Sequence, residues 1–267
     1  MATLTSADGT RIAYDIVGHG PAVILIDGAM CFRGGGPMRP IAEALSGQLT
    51  VVLYDRRGRG ESSDTLPFAV EREIEDIAAL IAAAGGQAAL FGISSGGALA
   101  LRAATALGPT LVSALAVYEV PFMPPGALAG AAEYTAALGA ALAAGRPDEA
   151  VAAFLRRVGT PDAAITGIRQ SPGWPGMVAL APTLAYDDAA MGDSTVPLAL
   201  AAGLSIPTLT LAGGASPEFL SYGVRTLAGA VPGARFEVVE GQDHDVSAAA
   251  IAPHLHRFLD PHAAAVG

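Results

Sequence analysis

The residues best equipped for chemistry are a serine and a histidine. Gly92-Ile93-Ser94-Ser95-Gly96-Gly97 has the G-x-S-x-G spacing of a nucleophile elbow, with an apolar strand-like run before it and the apolar helical pattern of residues 98–107 after it. A turn of that kind strains the serine backbone and brings neighbouring segments close, so small residues are needed at Gly92 and Gly96. Ser94 is thereby lifted toward a pocket as the candidate nucleophile. The backbone N–H of Ser95, at the start of the helix, would point at an oxyanion forming on the substrate and gain from the positive end of the helix dipole. A serine hydroxyl needs a base. Of the five histidines only His244 lies in a loop just past a predicted strand, in Gly241-Gln242-Asp243-His244-Asp245. His19 falls in a turn, and His254, His256 and His262 fall in a polar C-terminal helix or tail; these four are expected to be exposed.

Such a pair works only if rigid elements hold it. Short apolar runs rich in β-branched residues at 22–26, 50–54, 88–93, 114–118, 207–211 and 236–239 read as buried strands of a mostly parallel sheet. Residues 71–84 place Ile74, Ile77 and Ile81 on one helical face with Glu71, Glu73 and Glu75 near the start, the pattern of a crossover helix. Residues 3–4 and 11–16 flank the turn signal Asp8-Gly9 and predict an antiparallel hairpin ahead of the parallel strands. Between 121 and 206 the strand rhythm gives way to Ala-rich helical patterns broken by prolines. We read 1–120 and 207–267 as the core and 121–206 as an inserted helical cap, whose Trp174, Met177, Leu180 and Leu184 are expected to line an apolar substrate pocket.

The totals narrow the function classes. In 267 residues, 52% are hydrophobic and 15% charged, enough apolar mass for a large core and a pocket, and a net charge of −10 repels nucleic acid and anionic membranes. The single cysteine, Cys31, excludes an internal disulfide or a cysteine-rich metal site. The N-terminus carries no basic region followed by an apolar run, so a cytoplasmic location is expected, with a small-molecule substrate as partner, no cofactor, no metal and no membrane insertion. Monomer and homodimer both stay open.

Asp27-Gly28-Ala29 after a strand, the run Tyr54-Asp55-Arg56-Arg57-Gly58-Arg59-Gly60-Glu61-Ser62, the serine elbow and the late histidine together resemble the α/β-hydrolase superfamily in order and spacing, over nearly the whole chain. The resemblance implies an α/β-hydrolase fold and an esterase-like or lactonase-like serine hydrolase working through an acyl-serine intermediate on a small, apolar substrate. Ser94 rather than an aspartate at the elbow disfavours the dehalogenase and epoxide hydrolase branches. The same fold also hosts cofactor-free lyases, perhydrolases and non-catalytic receptors, which remain alternatives.

By the same resemblance the second oxyanion N–H belongs to Ala29, with Asp27-Gly28 standing where the family has a His-Gly pair. An ionised carboxylate there would oppose the oxyanion, so Asp27 is expected to turn away and bond loop amides or an arginine such as Arg33 or Arg57. The charges of the run 55–62 are expected to pin loops beneath the site, with a basic patch for an anionic substrate as the sharper alternative. Cys31 is expected to be inert and buried. The third triad member departs from the commonest family pattern, since Ser216 stands where an aspartate would follow the strand at 207–211. Glu119, at the end of the preceding strand, occupies the family's other location for the acid; Asp243, Asp245 and Glu218 are weaker substitutes.

Overall fold

The computed structural model describes residues 2–260. The runs at 22–26, 50–54 and 88–93 form β3 (Ala22–Ile26), β4 (Thr50–Tyr54) and β5 (Ala88–Ile93), buried on both faces because their side chains are almost wholly apolar. β6 (Val112–Tyr118), β7 (Thr208–Gly213) and β8 (Arg235–Val239) continue the parallel set. The hairpin is present as β1 (Ala2–Thr5) and β2 (Arg11–Gly18), antiparallel to each other. The sheet has eight strands in the order β1-β2-β4-β3-β5-β6-β7-β8, with every pairing from β4 to β8 parallel.

Side chains alternate along each strand, and each face collects its own helices. Val23 and Leu25 pack with Phe91, Ile41 of α1 (Met38–Leu45) and Leu255 of α11 (Ala248–Leu259). Ile24 and Ile26 pack on the opposite face with Ile77 and Leu80 of α2 (Val70–Ala83), Leu99 of α3 (Ser95–Leu111) and Val224 of α10 (Glu218–Ala230). Parallel strands end on one edge of the sheet, where Asp27, Ser94 and Glu119 follow β3, β5 and β6 and Gly213 ends β7.

Between β6 and β7 lie α4 (Leu128–Ala143), α5 (Pro147–Arg157), α6 (Asp162–Arg169), α7 (Trp174–Leu180), α8 (Leu184–Met191) and α9 (Leu198–Ala202). Leu138, Val151, Leu155, Ile165 and Leu184 form an apolar cluster separate from the two sheet faces. No helix among the described residues is long and apolar enough to cross a membrane.

Candidate active site

Ser94 sits between β5 and α3 at φ 57° and ψ −131°, a left-handed conformation that costs a non-glycine residue energy and is held by its surroundings. A Cβ on Gly92 would come within 2.4 Å of the Gly96 carbonyl oxygen, and one on Gly96 within 2.3 Å of the Ile26 carbonyl oxygen, so neither position admits a side chain. The Ser94 N–H donates to the Tyr118 carbonyl at 3.0 Å, tying the elbow to the end of β6.

One residue further, Glu119 is fully buried, with φ 45°. Its Oε1 accepts the Gly213 N–H at 2.7 Å and its Oε2 lies 2.8 Å from Nδ1 of His244. Both carboxylate oxygens are engaged, which fixes the imidazole by one nitrogen and leaves Nε2 as the available base. None of the substitutes bonds the imidazole: Asp243 Oδ1 accepts the Asp245 N–H at 3.0 Å, Asp245 is exposed, and the exposed Glu218 lies 4.0 Å from Arg225.

The His244 loop is tethered from below, because the Tyr118 hydroxyl donates to the Asp243 carbonyl. Tyr118→Phe is therefore expected to lower stability by about 1 kcal/mol and to reduce kcat by up to about 100-fold through small misplacement of the imidazole. Urea unfolding and steady-state kinetics check this; unchanged values for both would remove the tether from the account.

The arginines of the run 55–62 hold the loop after β3. Arg56 donates to the Asp27 carbonyl at 3.2 Å, and Arg59 to the Gly28 and Cys31 carbonyls at 2.6 and 3.2 Å. Both also reach Asp187 of α8, whose Oδ1 meets Arg56 and whose Oδ2 meets Arg59, each at 2.6 Å; the Ser95 hydroxyl donates to the same Oδ1 at 2.8 Å. Burial alone would raise the Asp187 carboxyl, but Arg59 and Arg56 outweigh it and hold it below the usual carboxylate range. Arg56 also forks onto Glu73, and Arg57 onto Asp76. These buried, neutralised cations offer no basic patch, and the alternative of an anionic site at this run is set aside.

Asp27 corrects a second expectation. Neither Arg33 nor Arg57 reaches its side chain, since Arg33 is committed to Asp15, Asp55 and Glu61 and Arg57 to Asp8 and Asp76. The carboxyl is buried, and Oδ1 has no hydrogen-bond partner among the described residues. Burial pushes its pKa up to about 7, against the pull of Arg59 and Arg56. The neighbouring Cys31 lines the cavity, but burial, reinforced by the Asp27 charge, pushes its thiol up to about 12, which suits an inert cysteine.

A cavity of about 900 Å³ brings the site together, in the size range of small-molecule pockets. Ser94, Ser95, Ala29 and His244 all line it. Its apolar wall is formed by residues such as Met123, Phe154, Val158, Met191, Phe219 and Leu220. Trp174, Met177, Leu180 and Leu184 are not among the lining residues, which corrects the expected pocket. Leu184, Trp174 and Met177 belong to the separate cluster between α4 and α8, where large side chains are needed to give those helices a core, and Leu180 ends α7 away from the cavity. Asp187 and Arg157 line the cavity and were not singled out from the sequence. The signal for Asp187 was the surplus of arginines at 56, 57 and 59, which requires carboxylates from elsewhere.

The remaining histidines are less uniformly exposed than expected: His19 is exposed, but half-buried His254 bonds Glu237 at 2.5 Å and His256 approaches the Ala44 carbonyl at 3.2 Å. His262 lies outside the described residues. No group of three or more His, Cys, Asp or Glu side chains among the described residues is placed to hold a metal ion.

A family model described as the alpha/beta hydrolase family matches residues 16–257. An alpha/beta hydrolase from Sphaerobacter thermophilus is 46% identical, with 96% of this chain and 99% of that one covered at a TM-score of 0.84. A hydrolase from Pseudomonas aeruginosa shares the fold at 24% identity and a TM-score of 0.70, covering 98% and 94% of the two chains. A pimeloyl-[acyl-carrier protein] methyl ester esterase of Xanthomonas campestris pv. campestris is 40% identical over 91 residues, which span 34% of this chain and 34% of that protein.

Proposed function

Because the chain belongs to the alpha/beta hydrolase family, we propose that it is a serine hydrolase cleaving an ester or lactone of a small molecule. The observation that carries this reading is the buried Glu119 carboxylate on Nδ1 of His244, with that imidazole and the strained Ser94 on one cavity. His244 Nε2 takes the Ser94 proton as Oγ attacks the carbonyl carbon, and Glu119 stabilises the imidazolium that forms. The N–H groups of Ala29 and Ser95 receive the negative charge on the carbonyl oxygen. Collapse expels the alcohol, protonated by His244, and a water activated by the same histidine frees the acid from the acyl-serine.

Residues 121–206 act in this reading as a cap, because Met123, Phe154 and Met191 supply much of the cavity's apolar wall. A body of apolar carbon on the substrate fits that wall better than a polar one. Partial likeness to a methyl ester esterase agrees with ester chemistry and leaves the substrate open. The test is labelling by a fluorophosphonate followed by peptide mapping, which requires nucleophile, base and access together. We expect the label on Ser94; a folded, monodisperse protein that takes no label there would end the proposal.

A further inference from the structure

All fifteen basic residues of the chain are arginines. Nearly every one has a visible occupation: the buried Arg33, Arg56, Arg57 and Arg59 face carboxylates, and Arg102 donates to the Ala190 carbonyl. Arg11, Arg146 and Arg157 form no side-chain hydrogen bond, ion pair or ring contact with the described residues. Arg11 and Arg146 are exposed, so water satisfies their donors. Arg157 differs, being half-buried on the wall of the cavity that holds Ser94, at the end of α5.

We propose that Arg157 is a specificity-determining residue that grips a carboxylate on the substrate, so that the substrate class is a small ester or lactone bearing a free acid group away from the scissile bond. This rests on the serine-hydrolase reading. A guanidinium presents a planar fork of donors that matches a carboxylate, and partial exclusion of water makes an unmatched fork costly. Tyr134, also on the cavity wall, lies within the electrostatic reach of Arg157. Burial, with the charges of Asp187 and Asp188, keeps its hydroxyl protonated, so it is a second donor beside the guanidinium.

The carboxylates around Arg157 do not occupy it. Asp187 is taken by Arg56, Arg59 and Ser95. Asp188 feels the Arg157 charge without bonding it: it is turned to the Thr135 hydroxyl at 3.0 Å, and burial outweighs the pull of Thr135 and Arg157 and pushes its carboxyl up. Asp243 and Asp245 lie exposed on the His244 loop, where solvent and salt screen them. One guanidinium in a chain of net charge −10 suits a single carboxylate better than a phosphate dianion, which calls for several cations. The apolar wall around Phe154 and Phe219 then accepts the carbon chain between acid and ester.

The experiment compares monomethyl with dimethyl esters of dicarboxylic acids from succinate to suberate, following methanol release. In the wild type we expect at least one monoester to exceed its diester in kcat/KM by 10- to 100-fold, chiefly through KM. In Arg157→Met that ratio should fall by 10- to 100-fold, and Arg157→Lys should recover part of it. Diesters equal to or better than monoesters at every length, or a ratio untouched by Arg157→Met, would overturn the assignment. Calorimetric binding of the monoesters to Ser94→Ala, with and without Arg157→Met, reads the same subsite without turnover. Equal affinities in the two proteins refute the carboxylate grip even if the serine is active, whereas failure of the hydrolase reading appears separately as absent fluorophosphonate labelling.

Discussion

Glu119→Gln is expected to leave the fold intact and to lower kcat by about 10⁴-fold, the scale of loss when a triad acid becomes an amide. The side chain has two fixed partners, the Gly213 N–H at 2.7 Å and His244 Nδ1 at 2.8 Å. Glutamate accepts from both. Glutamine has one oxygen and one NH₂, and keeping the oxygen on Gly213 presents the NH₂ to Nδ1. That nitrogen must then accept, the ring proton moves to Nε2, and the base that should take the serine proton is blocked. The developing imidazolium also loses its counter-charge. Hydrolysis of p-nitrophenyl acetate, with circular dichroism to confirm folding, measures the effect. Near-native kcat in Glu119→Gln, together with inactive Asp243→Asn or Glu218→Gln, would transfer the role to another carboxylate.

Asp27→Asn should make the protein more stable near neutrality, by an amount that grows with pH. In the unfolded chain the carboxyl ionises near 3.8, and in the folded chain near 7, so between those values folding holds a proton that unfolding releases. Stability from this group is complete below about pH 3.8 and is lost as pH rises to about 7. A displacement of that size corresponds to about 4 kcal/mol, at 1.36 kcal/mol for each decade of proton affinity. Arg59, Arg56, Asp55 and Cys31 are the charged or titratable groups that act on it; both arginines are committed to Asp187, so neither supplies the missing partner. Asparagine has nearly the same shape and no charge to bury. Urea unfolding at pH 4.5, 6 and 8 should show a gap between variant and wild type that widens and then levels off. A constant gap across that range would refute the buried-acid account.

The strands were legible because parallel strands buried on both faces tolerate almost no polar residue, and the runs at 22–26, 50–54 and 88–93 end where polarity returns. Ser94 was legible from the glycines its turn demands, and His244 and Glu119 from their places after strands. What could not be read was partnership over distance. Asp187 lies 131 residues from Arg56 in an Ala-rich stretch, with no local trace of the cations it meets. Trp174 suggested a pocket wall, but the helices between β6 and β7 needed a core of their own and used it there. The arginines expected to meet Asp27 are held by other carboxylates, a competition that only the fold displays.

The Asp187 bridge fixes the wall that α8 gives the cavity. α8 is fastened to the loop after β4 by two arginines and to the elbow helix by Ser95, and swinging it away would leave the buried Arg59 without a counter-charge and Arg56 with Glu73 alone. Breaking a buried pair costs about 3–5 kcal/mol, so a state with α8 swung away would be populated at the order of 10⁻² to 10⁻⁴. Val158 and Phe219 line the cavity and keep exposed side chains, so they stand where it meets solvent. With α8 held in this way, the room a small molecule finds on reaching the cavity would change with the bulk of those two side chains, while the wall beside them keeps its place.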